Sequence, residues 1–171
     1  MENTSTIHLE NLKSKRWLAL AVLCTAQFMV IMDTSIIGVA LPAIQKTLNY
    51  SASGLQWIFN AYVIVFGGIL LLGGKLSDLF EQKKIFLWGF GILTVASIFT
   101  WLAWSELSMN IGRAAQGLGA ALIAPSALAL LMTVFTNPKG LGKALGFWGI
   151  AAAAGGSAGV FLSGLLTQYL L

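Results

Sequence analysis

The sequence predicts an all-α membrane protein of five transmembrane helices with its N-terminus in the cytoplasm. Three observations predict it. Charged residues make up 9% of the 171 and hydrophobic residues 57%, against about 25% charged in a soluble domain; mean hydropathy is +0.83. Five apolar stretches occur, each near the ~20 residues that a spanning helix needs. Eight of the ten basic residues lie before the first stretch or in alternate connections, the asymmetry that sets orientation. The chain divides into a cytoplasmic tail, 1–16, and a helical bundle, 17–171.

The first span is expected over 17–41. Lys13, Lys15 and Arg16 precede it as in a secretory leader, but about 25 residues exceed the roughly 7–15 of a leader's apolar core. It is read as a retained helix. The second and third spans are expected over 53–72 and 85–104, with Lys75, Lys83 and Lys84 between them. The fourth, 107–134, is overlong, so it tilts or its ends lie in the interfaces. Pro125 removes a backbone donor within it, and a kink is expected there. The fifth, 144–166, follows Lys139 and Lys143. Only Lys46 falls in an opposite connection, which puts the N-terminus inside. Trp57, Trp101 and Trp104 fall near outer helix ends, Trp17 and Trp88 near inner ends, as interface anchors do.

Composition also excludes. The net charge of +4 comes from short clusters, with no basic face interleaved with aromatics, so nucleic acid is not a partner. Cys24 is alone and permits no intrachain disulfide. His8, the only histidine, sits in the tail, leaving no ligand set for a metal. Residues 155–159 satisfy the G-x-S-x-G pattern of serine hydrolases around Ser157. That chemistry needs a strand-to-helix elbow and a His–acid partner, so no enzyme is expected.

Two charges lie inside apolar spans, where ionisable groups cost about 2.5–3.5 kcal/mol each on insertion scales and mark ion or substrate routes. Asp33 lies 16 residues beyond Trp17, roughly 24 Å into the membrane at 1.5 Å per residue. Arg113 enters from the opposite side and is roughly 8 Å deep, so both occupy the outer part of the bilayer. Two readings stand. In one, Arg113 reaches outward past Ser108 and Asn110, or bridges statically, and Asp33 bonds Thr34 or a neighbouring helix. In the other, favoured here, they form a titratable pair in a transport path: desolvation favours the neutral acid and the guanidinium the carboxylate, so small changes in access move a proton. Arg113, Gln116, Gly117 and Ala120 share one helix face. Asn60, Tyr62 and Gln116 are candidate cavity residues. In the fifth span, Ala151, Gly155, Gly159 and Ser163 recur every fourth residue, the small-xxx-small pattern of close helix approach. Gly149 and Gly164 add flexibility there, and Pro125 and these glycines are candidate packing or hinge positions.

Together these segments resemble the major facilitator superfamily, in particular drug:proton antiporters of the fourteen-helix group. Residues 32–42 (Met-Asp-Thr-Ser-Ile-Ile-Gly-Val-Ala-Leu-Pro) resemble the first-helix motif. Residues 73–84 resemble the signature loop after the second helix, and 110–121 the fourth-helix motif, whose Arg is associated with proton coupling. The glycine-rich run 149–164 resembles the fifth-helix antiporter motif. Leu79 and Glu81 stand where the signature loop usually has Arg and Gly, Val160 and Ser163 where the fifth-helix motif often has Pro and Gly, and Gly38 where an Asn is common in the first helix.

The resemblance implies proton-coupled efflux of small amphipathic compounds by alternating access in a bacterial-type inner membrane. Asp33 and Arg113 would handle the proton, the only coupling ion or cofactor implied. Gly74, Asp78, Lys83 and Lys84 would form a cytoplasmic gate. Family members are longer and carry a second bundle, so these residues are expected to be an incomplete N-terminal bundle, by truncation or a split reading frame. Its partners would be the lipid bilayer, the substrate and the remaining helices or a companion chain. The alternative is a non-transporting membrane module that associates with a partner chain through its small-residue faces.

Overall fold

The computed structural model describes residues 2–48 and 50–170, with side-chain surroundings for 15–48, 50–51 and 53–168. The side chains of His8 and Lys13 lie outside the described residues. Among the described residues the chain forms five helices: α1 (Glu2–Leu48), α2 (Ala52–Leu79), α3 (Gln82–Trp101), α4 (Glu106–Val134) and α5 (Pro138–Leu170). Each is long and apolar enough to cross a membrane.

α4 is the central helix, flanked by α2 and α3, while α5 packs along α1 and α1 meets α4 in the middle. Glycine sets these approaches. A Cβ at Gly117 would strike the Tyr62 main chain, and one at Gly73 the Ala121 carbonyl, so α2 and α4 run parallel nearly backbone to backbone. Gly89 and Gly119 face one another across the antiparallel α3–α4 pair. The helices alternate in direction, which brings Lys15, Lys75, Lys83, Lys84, Lys139 and Lys143 to one end of the bundle, hereafter the basic end.

Two apolar clusters fill the interior. The larger holds Leu23, Val30, Tyr62, Leu93, Ile123 and Leu131. The smaller, toward the far end, holds Ile37, Tyr50, Ile58 and Met109. Trp101 and Trp104 are 84% and 73% exposed at the far end, and Trp88 is 70% exposed near the basic end, as membrane anchors require.

The helices outrun the apolar stretches at several ends. α1 continues through Pro42 to Leu48, because Ile44 and Leu48 pack beside the smaller cluster. The donor lost at Pro42 is only one bond. α2 continues through residues 73–79, so Gly74, Lys75 and Asp78, expected in a loop, occupy its last two turns. Only Phe80 and Glu81 connect α2 to α3. Both have extended backbone with negative φ (−105° and −62°), so the position that Glu81 fills needs no glycine. α4 is continuous through Pro125. Ser105 caps it in a reciprocal box with Ser108, satisfying backbone donors that the first turn leaves free.

Candidate functional site

Arg113 is completely buried, seven residues into α4. Such a cation needs partners on every side, and three helices supply them. Its Nη1 donates to Asp33 Oδ2 of α1 at 2.9 Å and to Gln116 Oε1 at 2.9 Å. Its Nε donates to the Ile58 carbonyl of α2 at 3.4 Å. Its guanidinium carbon lies 4.6 Å from the centre of the Tyr62 ring, within cation–π range. Nη2 has no hydrogen-bond partner. Phe66 stacks on Tyr62 at 5.9 Å between ring centres and holds the ring in place.

Gln116 is the hub. Its Nε2 donates to Asp33 Oδ1 at 2.8 Å and to Ser97 Oγ of α3 at 3.0 Å, while its Oε1 accepts from Arg113. The carboxylate therefore has a separate donor on each oxygen, one of them charged, which makes these bonds short and strong. Apolar clusters border the cluster on both sides along the bundle axis: Ile37, Ile58 and Met109 toward the far end, Val30, Tyr62 and Ala120 toward the basic end. Its opening is at Asp33, whose side chain keeps 18% exposure.

Pairing of Asp33 with Arg113 is thus realised, and outward snorkelling of Arg113 is not: the side chain turns into the bundle. Thr34 does not serve Asp33; its hydroxyl donates to the carbonyls of Val30 and Ile31 in its own helix. Tyr62 joins the site as an aromatic face and not through its hydroxyl. Asn60 does not join it. Two positions along a helix cannot share a face, and with Tyr62 turned inward Asn60 is exposed.

Ser97 and the Ile58 carbonyl were missed. Ser97 had a signal: with Leu93, Ala96 and Thr100 it follows i, i+3, i+4, i+7 spacing, a stripe whose Leu93 and Ala96 are buried. A hydroxyl on that stripe needs a partner across the interface. A backbone carbonyl leaves no trace in sequence.

The other expected site residues separate into groups. Asp78, Lys83 and Lys84 are exposed at the basic end. Among the described residues Lys84 pairs with Glu81 at 3.2 Å, both largely exposed, and Asp78 makes no ion pair. Gly74 lies against Pro125 of α4, which places both in the α2–α4 seam. In α5, Gly155 abuts the Phe28 main chain, Gly159 abuts Met32 and Ser35, and Ser163 Oγ donates to the Ile36 carbonyl at 2.7 Å. Gly149 and Gly164 face open space and take no part in that seam.

Residues 23–170 match the family model of the Major Facilitator Superfamily. The chain is 40% identical over 156 residues to puromycin resistance protein pur8 of Streptomyces alboniger, covering 91% of this chain and 31% of that protein. It is 40% identical over 152 residues to the cephamycin export protein CmcT of Amycolatopsis lactamdurans, covering 89% and 31%. It is 36% identical over 159 residues to the tetracenomycin C resistance and export protein of Streptomyces glaucescens, covering 93% and 29%. The chain therefore spans less than a third of the length of these relatives. With five membrane-length helices and this match over most of its length, the chain is a multi-pass membrane protein and belongs to the major facilitator superfamily, a family of transporters and not of enzymes.

Proposed function

We propose that this chain forms the proton-handling part of an exporter of small amphipathic compounds that works by alternating access. The observation that carries the reading is the buried Asp33–Arg113–Gln116 cluster with its opening at the carboxylate. The relatives named for export or resistance support the substrate class.

The chemistry follows from the contacts. With Asp33 ionised, the pair is neutral overall and both carboxylate oxygens are satisfied. A proton arriving at Asp33 removes the charge that balances Arg113 and leaves a buried cation with neutral neighbours, a state costing several kcal/mol. The bundle relieves that cost by turning the site toward water or by losing the proton. A cationic or polar substrate group reaching the open edge of Asp33 favours the ionised form and expels the proton, so proton and substrate alternate. Rocking against a second bundle around a midplane site is the motion this requires. Gly74 and Pro125 in the α2–α4 seam, and Asp78, Lys83 and Lys84 exposed at the basic end, are assigned to the gate that closes there.

Everted membrane vesicles from cells expressing the gene for this chain test the reading. A lipophilic cationic dye is taken up when an inside-acid pH gradient is imposed. Asp33→Asn and Arg113→Ala abolish that uptake while the proteins remain in the membrane. Undiminished uptake in both variants would overturn the proton role.

A second reading rests on a separate observation. Gly67 and Gly68 of α2 and Gly146, Gly149 and Gly164 of α5 all face open space, surfaces on which another helix can approach closely. A membrane module that binds a companion chain would use them. Crosslinking in membranes from cysteines at Gly68 and Gly149 distinguishes it: adducts to a separate chain, with dye uptake absent, favour the module.

A further inference from the structure

Arg113 presents a planar fork of donors, and the structure uses only part of it. Nη1 serves both Asp33 Oδ2 and Gln116 Oε1, each at 2.9 Å, and Nε reaches the Ile58 carbonyl. Nη2, on the same carbon as Nη1, is buried and has no hydrogen-bond partner among the described residues. A buried charged donor without a partner is costly and rare in native interiors. A carboxylate already stands on the neighbouring prong, and carboxylates commonly take both prongs of a guanidinium at once. Here Asp33 does not, because its Oδ1 is held at 2.8 Å by Gln116 Nε2.

Gln116 is itself fixed. Its Oε1 accepts from Arg113, and its Nε2 also donates to Ser97 of α3 at 3.0 Å. A reversed amide would set donor against guanidinium and oxygen against carboxylate, so one orientation fits. The side chain is only 3% exposed and has no water to turn toward. Around Asp33 the other titratable groups are Arg113 of α4 and the Tyr62 phenol of α2. α3 offers Ser97, α5 meets α1 at this level through Gly155 and Gly159, and α1 carries no titratable group between residues 26 and 40 besides Asp33. We infer that Gln116 is a positioning residue that holds Asp33 off the second prong of Arg113, and that Asp33 has a second arrangement bridging Nη1 and Nη2. This rests on the proton role proposed above and supplies its control. In the arrangement seen, one oxygen is held by a neutral amide and the carboxylate stays exchangeable. In the forked one, both oxygens take charged donors, which hold the ionised form more tightly. Passing between them needs only a turn of the carboxylate, because Nη1 and Nη2 share one carbon.

The test titrates the full chain in lipid nanodiscs while difference infrared spectroscopy follows the carbonyl band of protonated Asp33, identified by its loss in Asp33→Asn. Gln116→Leu frees Oδ1 to reach Nη2, so the pH at which the band is half lost moves toward acid by about one unit. Simple loss of a donor moves it the other way, since the ionised form is then the less satisfied one. A shift toward alkaline, as when water already serves Nη2, or no shift at all, would overturn the second arrangement. Gln116→Met, which fills the same space, gives the same reading if Gln116→Leu does not fold. In the Arg113→Lys background a single ammonium offers no fork, so the acid shift is absent; an equal shift there overturns the inference as well. The Ser97 hydroxyl loses its donor in each Gln116 variant, so lower stability accompanies the shift without setting its sign. Undiminished dye uptake by Asp33→Asn would remove the transport role and leave the infrared titration to decide how Asp33 is held.

Discussion

The two oxygens of Asp33 have different donors, and each donor is shared. Arg113 Nη1 bonds both Asp33 and Gln116, and Gln116 Nε2 bonds both Asp33 and Ser97. Gln116→Leu keeps the volume but leaves Asp33 Oδ1 and the Ser97 hydroxyl without that donor. Stranded buried acceptors cost about 1–3 kcal/mol, so a drop of that size in detergent unfolding is expected, whereas Ser97→Ala costs less than about 1.5 kcal/mol. Equal losses would contradict the hub role of Gln116. A second residue-scale prediction concerns Tyr50, between α1 and α2, whose hydroxyl donates to the Glu106 carbonyl at 2.9 Å. Burial, with Glu106 nearby, pushes its phenol from 10.0 up to about 12. The folded chain keeps this proton where the unfolded chain has lost it. The stabilisation is thus intact below the ordinary value and fades as pH rises toward 12. Tyr50→Phe should remove that part of the alkaline unfolding profile, and an unchanged profile would count against the contact.

Among the helices, glycine decides which faces touch. Gly155 and Gly159 lie in the α1–α5 seam, and Gly149 does not. Gly155→Val forces its side chain into the Phe28 main chain, with an overpacking cost of about 1–3 kcal/mol. Gly149→Ala meets open space and removes a helix-interior glycine, a change of about 0.5–1 kcal/mol in the stabilising direction. Thermal unfolding of the two variants should move in opposite directions; loss of stability in both would show that the seam is misassigned. Much of this level was legible in the sequence. The four-residue spacing of Ala151, Gly155, Gly159 and Ser163 named the correct α5 face, because small residues at that interval can only form one stripe. The same glycine count could not show that Gly149 and Gly164 lie off it, since that depends on where α1 sits. The ends of α2 were misjudged for a related reason: Gly-Gly-Lys at 73–75 reads as a turn, yet Gly73 is there so that α2 can lie against the Ala121 carbonyl. At the site, Asp33 and Arg113 were legible because charge is rare in apolar spans. Ser97 was passed over in spite of its place on the Leu93–Ala96–Thr100 stripe, because hydroxyls are common in such spans and usually bond their own helix, as Thr94 does with the Phe90 carbonyl.

On the scale of the whole molecule, the bundle holds one polar cluster between two apolar layers, with lysines concentrated at one end. We propose that this end faces the cytoplasm, in keeping with the positive-inside rule. Cys24 is partly buried in the larger apolar cluster's surroundings, so a Cys24→Ala background suits single-cysteine labelling. A cysteine at Lys139 should stay unlabelled by a membrane-impermeant thiol reagent in intact cells, and one at Lys46 should be labelled. The reverse pattern would invert the topology. The central claim is that Asp33 exchanges its proton for substrate. The direct measurement is proton release from the purified protein in weakly buffered solution when an amphipathic cation is added. Release that saturates with ligand and is absent in Asp33→Asn is the result predicted here; the same release from the Asp33→Asn variant would contradict it.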